Sequence, residues 1–541
     1  MTDPSPQPAT PPGLFPVATR RVMNLSHFLR QAARRHGDEI GLVWGEAQWR
    51  WAALDRRVDA MAAALAARGV AKGDRVLVQA RNGNQMFESM FVCFRLGAIW
   101  VPANFRQTPD EVAYLAQASG ASVLICQNEF ADHARAVSAA VPLAQTIAIG
   151  PAAFGAEYDA VLAPHLGQGF ATADVVHDDP CWFFFTSGTT GRPKAAVLTH
   201  GQMGFVVTNH LCDLMPGTTA SDASLVVAPL SHGAGVHQLT QVARAAKTVL
   251  LAGDHLDPAE AWSLVERWHV TNMFTVPTIL KRLTEHQAVD AFDHSSLRYV
   301  IYAGAPMYRA DQQHALRKLG KALVQYFGLG EVTGNITVLP PALHEAEDHP
   351  GARVGTCGYA RTAMQISIQD EAGRDLPAGE IGEICVSGPA VFAGYHNDPA
   401  ANARAFRNGW FRTGDLGYLD TQDFLFITGR ASDMYISGGS NIYPREIEEK
   451  LLTHPAIAEA AIVGMPDREW GEIGIAIVVP RPGAALDEAA LLAWLAAKIA
   501  RYKLPRRIFF WDELPKSGYG KITKKLIRDE LTARGFATPG Q

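Results

Sequence analysis

Cysteine is scarce in this chain: six residues in 541, at positions 93, 126, 181, 212, 357 and 385, with no Cys-x-x-Cys pair and no metal-ligand spacing. That excludes a disulfide framework, and reduced thiols in a cytoplasmic protein are expected. Long apolar runs are missing too. The stretch "MFVCFRLGAIWVPANF" is broken by Arg95 and Asn104, well short of the ~20 residues that cross a bilayer, so no membrane span is expected. The N-terminal "MTDPSPQPATPPGLFP" lacks both the basic start and the apolar core of a signal peptide, and residues 1–23 read as a disordered leader. Charge of one sign is not in excess. Lys plus Arg is 49 against 54 for Asp plus Glu, a net charge of -5, which argues against a general nucleic-acid binder. No repeat at solenoid or propeller periods is present.

What is there is length and apolar content. A chain of 541 residues exceeds the ~250–300 at which single cores stop growing, so two or more domains are expected. The 48% hydrophobic content and 48 glycines fit an α/β enzyme. Residues 54–68 place Leu54, Val58, Met61, Ala62 and Leu65 on one helical stripe, with Gly69 as the terminating residue. The runs "DRVLVQA", "SVLIC", "TIAIG", "TVLLAG" and "YVIYAG" alternate with helical segments, the pattern of buried, mostly parallel strands. After about residue 360 close-set strands and turns indicate an antiparallel or barrel-like section, and after about 430 a compact α+β module follows.

Between "CWFFF", read as a strand, and "GQMGFVVTNHLCDL", read as a helix, lies "TSGTTGRPK". A Gly/Ser/Thr loop there can turn amides and hydroxyls toward one point, a nest suited to phosphate oxygens, with Lys194 adding a mobile positive charge. Its Gly-x-x-Gly-x-x-Lys spacing fails the Walker pattern and argues against a P-loop kinase or ATPase. The bland alternative for such a loop is a surface turn.

"TSGTTGRPK" resembles the phosphate-binding signature of the adenylate-forming superfamily, which includes acyl-CoA synthetases, peptide-synthetase adenylation domains and beetle luciferases. Five further strings appear in the family's order: "YFGLGE" at 326–331, "GEICVSGPAVFAGY" at 382–395, "WFRTGDLGYLD" at 410–420, "GRASDMYISGGSNIYPREIE" at 429–448 and "LPKSGYGKI" at 514–522. The resemblance implies an α/β fold in two parts. A large N-terminal adenylation domain, residues 24–429, would hold mostly parallel sheets and a small barrel-like section. A hinge at 430–433 would lead to a small mobile α+β C-terminal domain at 434–541.

The resemblance also implies roles. Adenylate formation brings a carboxylate to the α-phosphate of ATP while pyrophosphate leaves, so charge neutralisation and positioning matter more than a nucleophilic side chain. Thr186, Ser187, Gly188, Thr189, Thr190, Gly191 and Lys194 match the loop that grips the β- and γ-phosphates. Glu331 matches the Mg²⁺ ligand, a carboxylate for a hard cation. Asp415 resembles the carboxylate that accepts from both ribose hydroxyls, and Arg430 its nucleotide-binding companion; a plain ion pair is the structural alternative. Gly304, Ala305, Pro306, Phe327 and Gly328 complete the expected ATP/AMP site. Lys521 resembles the adenylation lysine, and Gly438 and Gly439 would let the pantetheine arm of CoA approach closely.

Some positions depart from the family pattern. Phe327 replaces the common Tyr beside adenine, Gly330 replaces a Thr or Ser before the Glu, and Ser432 stands where the hinge is commonly Asp or Lys. Acetate-activating relatives carry a Trp at the position matching Gly328, so a glycine is expected to leave the floor of the acyl pocket open. His232, Thr275, Val276 and Gly328 are the expected acyl-pocket residues, with His232 a candidate gate. No Arg or Lys stands out in "PLSHGAGVH", "TVPTIL" or "AGAP" to pair with a second carboxylate, which disfavours a dicarboxylate. The expectation is an AMP-forming carboxylic acid:CoA ligase acting on a medium-chain or aromatic monocarboxylic acid with ATP, Mg²⁺ and CoA, its assembly open to a homodimer. The alternative is a stand-alone enzyme loading a carrier protein in trans.

Overall fold

A computed structural model describes residues 22–186, 192–253, 255–516 and 522–536. The expected leader falls almost wholly outside them. The predicted helix is present as Trp51–Ala66, and all five stripe residues are fully buried. Gly69 follows it at φ 89°, which suits a residue without Cβ.

The first seven-stranded sheet runs, in spatial order, Ala156–Glu157, Gln145–Ile149, Val123–Gln127, Arg75–Gln79, Ile99–Pro102, β1 (Pro180–Thr186) and β2 (Lys194–Thr199). Its strands are parallel except for the antiparallel β1–β2 pair. Alternate side chains serve two cores. Val76, Val78 and Trp100 join one cluster, while Leu77, Ile99 and Val101 join another on the opposite face. Both faces being covered explains why the strands read as continuous apolar runs.

A second seven-stranded sheet places β3 (Asn272–Thr275), β4 (Tyr299–Tyr302) and β5 (Leu323–Gln325) side by side and parallel at one edge. The antiparallel section holds β6 (Thr356–Ala360), β7 (Trp410–Leu419) and β8 (Phe424–Arg430), and begins at Thr337, earlier than the sequence indicated. The chain leaves it at Arg430, makes one turn, and enters a C-terminal sheet through β9 (Tyr435–Ser437) and β10 (Ser440–Ile442). That sheet is completed by Ile457–Asp467, Gly471–Pro480 and Arg507–Phe510, and it is covered by apolar clusters of its own.

One expectation is corrected here. The Gly/Ser/Thr loop does not lead from a strand into a helix. It joins two antiparallel strands, because "KAAVLT" adds β2 before the helix α1 (His200–Asn209) begins. The helix N-terminus that could have faced the loop is thus six residues further on, capped by the Thr199 side chain.

Candidate active site

Thr186 ends β1 and is the cross-strand partner of Lys194, the first residue of β2. The Thr186 hydroxyl donates to Glu331 Oε1 at 2.9 Å. The Tyr395 hydroxyl donates to the same oxygen, also at 2.9 Å. Lys194 Nζ stands 5.3 Å from the centroid of the Tyr395 ring, a cation–π distance. The Tyr395 segment is held by Val197 N donating to Gly394 O and by Phe392 N donating to Glu331 O. Burial, and then the Glu331 charge, push the Tyr395 phenol above its usual range, so it remains a donor. In the sequence Tyr395 ends the string "GEICVSGPAVFAGY" and carries no local sign of this contact.

Glu331 sits in a short 3₁₀ turn, Gly330–Val332, and is 5% exposed. The glycine before it has a steric cause. A Cβ at Gly330 would lie 2.6 Å from Phe184 Cε1 and 2.8 Å from Thr186 Cγ2.

Gly304, Ala305 and Pro306 follow β4; Phe327 and Gly328 follow β5; Val276 follows Thr275 at the end of β3. These residues therefore share the carboxyl ends of adjacent parallel strands, where open α/β sheets bind ligands. Thr275 uses its hydroxyl on Ile301 O at 3.0 Å, a structural bond. The His232 ring lies 4.2 Å from that of Phe184 and directly precedes the helix α2 (Gly233–Ala243). A Cβ at Gly328 would meet the Gly334 backbone at 2.4 Å, so a larger side chain could not be added there without moving the chain.

Asp415 and Arg430 are cross-strand partners on β7 and β8, with Arg430 Nε 3.3 Å from Asp415 Oδ1. Asp415 is 6% exposed. Near the strand ends, Phe327 N donates to Thr337 Oγ1, and Thr337 Oγ1 donates to Cys357 O. Burial above all, with the Asp415 charge among the smaller causes, pushes the Cys357 thiol up to about 12.

Gly438 and Gly439 form the turn between β9 and β10, at φ 55° and 79°. A Cβ on Gly438 would press within 2.7 Å of the Trp470 ring. Ser187, Gly188, Thr189, Thr190, Gly191 and Lys521 lie outside the described residues. Two lysines near Lys521 in sequence are engaged: Lys516 pairs with Glu459 at 2.6 Å and Lys524 with Glu448 at 2.7 Å. Among the described residues no three His, Cys, Asp or Glu side chains form a metal cluster, and no helix is long and apolar enough to cross a membrane.

A cationic hairpin beside a buried carboxylate, set at the carboxyl ends of a parallel sheet, defines a nucleotide-handling α/β enzyme. Residues 29–396 match the AMP-binding enzyme family and residues 446–521 the AMP-binding enzyme C-terminal domain. The chain is 36% identical over 516 residues to a feruloyl-CoA synthase from an Amycolatopsis species, covering 95% of this chain and 98% of that one. It is 35% identical to the fatty acid–(acyl-carrier-protein) ligase ScoC of Streptomyces coeruleorubidus, with coverage of 88% and 91%. ATP-bound MatB from Rhodopseudomonas palustris superposes with a TM-score of 0.84 at 28% identity, over 94% of this chain and 99% of that one. The chain belongs to the AMP-binding enzyme family, in the acyl-CoA synthetase branch of the adenylate-forming superfamily.

Proposed function

We propose that this enzyme joins a medium-chain or aromatic monocarboxylic acid to CoA through an acyl-adenylate, releasing pyrophosphate and then AMP. The observation that carries the reading is the convergence of Thr186, Lys194, Tyr395 and Glu331 at the mouth of the β1–β2 hairpin. Lys194 and the loop 187–191 would hold the β- and γ-phosphates, and Asp415 with Arg430 the ribose end. Mg²⁺ fits the donor set: the Glu331 carboxylate and the Thr186 hydroxyl are hard oxygens, and the ion commonly uses one or two carboxylates alongside phosphate oxygens. When bound it would neutralise phosphate charge.

The protein's own part is positional. Lys194 lowers the repulsion between acid and triphosphate, and the strand ends hold the carboxylate in line with the α-phosphate. Lys521, carried on the domain 434–541, would touch both anions as charge moves between them. Rotation about 430–433 would then withdraw it and bring Gly438 and Gly439 to the thiol-bearing arm. ScoC, named for a carrier-protein acceptor and 35% identical, favours loading of a carrier as the second reading.

Pyrophosphate release and thioester formation should be followed across a panel of acids with CoA, with a carrier protein, and with neither. Activation of acetate or malonate alone would reject the acid class. Lys521→Ala should abolish adenylate formation far more than CoA transfer from a supplied acyl-adenylate; equal loss in both contradicts the two-conformation scheme.

A further inference from the structure

The residues next to the expected acyl-pocket walls converge on a polar end that the sequence did not disclose. His237 and Gln238 lie on α2, just past His232; Phe274 precedes Thr275; Tyr326 precedes Phe327. His237 is 4% exposed and stacks on Phe274 at 4.5 Å and 17°, with Tyr326 at 5.9 Å on a near-parallel plane. His210 packs edge-on against it at 4.7 Å. Both ring nitrogens of His237, Oε1 of Gln238 and Nε2 of His210 are buried without a hydrogen-bond partner in the protein. Gln238 is oriented by its amide, which donates to Thr248 Oγ1 at 2.9 Å. His237, Gln238 and Phe274 line a cavity of about 10 Å³ together with Val226, Ala234 and Gln241.

Behind the imidazoles lies Arg361, 1% exposed. It donates to His210 Nδ1 at 3.2 Å and to Asn335 Oδ1 at 2.6 Å. The same His210 Nδ1 also stands 3.0 Å from Val206 O. Asp213 lies 3.7 Å from Arg361 Nε and counters the charge. Burial keeps both imidazoles neutral, His237 pushed down to about 3.

We propose that His237 and Gln238 form the far wall of the acyl pocket and select an aromatic carboxylic acid bearing a hydroxyl group on the ring, remote from its carboxylate. The proposal rests on the acid-activating reading above. A hydroxyl both donates and accepts, matching Gln238 Oε1 and an N–H of His237. The cavity, about 10 Å³, is the size of one water and admits a single oxygen, not a second carboxylate. A bare ring or an alkyl end would leave the wall's polar atoms unsatisfied, the situation in which hydrogen-bonding sites discriminate.

The test is the kcat/KM for pyrophosphate release by the full-length protein with 4-hydroxycinnamate, cinnamate, 4-carboxycinnamate and octanoate. The wild type should prefer the hydroxylated acid over cinnamate by at least about tenfold. His237→Phe and Gln238→Leu should each bring that ratio toward one. Equal or better use of cinnamate, 4-carboxycinnamate or octanoate by the wild type overturns the selection, as does a ratio that survives both substitutions. The wild-type panel decides even where a variant fails to fold. Comparable activation of all four acids removes only the selection, whereas no pyrophosphate from any acid removes the acid-activating reading and this proposal with it.

Discussion

At the scale of single residues, the site depends on how closely Glu331 can approach β1. Gly330→Thr restores the residue type common in the family, yet its Cβ would collide with Phe184 and Thr186. The variant should lose about 1–3 kcal/mol of stability in urea unfolding, the usual range for overpacking, and its pyrophosphate release should fall. Tyr395→Phe removes one of two donors to Glu331 Oε1; a stability loss of roughly 1 kcal/mol with a raised KM for ATP is expected in steady-state assays. Lys194, Glu331, Asp415 and Arg430 could be singled out as candidates because each stands inside a short string that resembles a family motif. Tyr395 and Arg361 were not, since they reach their partners from segments 64 and 151 residues away, and separation of that order leaves no local trace.

Elements were legible where packing is two-sided. The parallel strands announced themselves as apolar runs, while β2 did not: Lys194, Ala195 and Ala196 have low strand propensity, and only pairing with β1 makes them a strand. The β9–β10 turn is the element on which the second half-reaction is proposed to depend. Gly438→Val combines a positive φ with a ring contact at 2.7 Å, so it should distort the turn. Thioester formation should then fall at least tenfold more than CoA-independent pyrophosphate release, read in parallel assays.

For the whole molecule, pH stability follows from buried neutral imidazoles. Burial lowers His200 and His344 to about 4 and His237 to about 3, against about 6.5 in an unfolded chain. The unfolded state alone takes up these protons, so stability is complete above pH ~6.5 and falls as pH drops toward 4, by up to about 1.4 kcal/mol per pH unit for each histidine. Glu88 and Glu449, whose carboxyls burial pushes up, offset part of the loss at the acid end. Urea midpoints at pH 7, 6 and 5 should decline accordingly; a flat profile contradicts this. The two-part organisation was readable from chain length and the change of pattern near residue 430, but the contacts between the parts were not. Arg445 donates to Ile427 O at 3.2 Å, and Glu449 accepts from Arg309 N at 3.5 Å.

The ladder between Thr186 and Lys194 ties off the base of the β1–β2 hairpin, so its two ends hold their places whatever joins them. Lengthening a connection costs only about 0.6 kcal/mol for each doubling. An extra residue inserted at 187–191 should leave the melting temperature nearly unchanged while turnover collapses, which makes this loop a place where catalysis can be switched off without dismantling the scaffold.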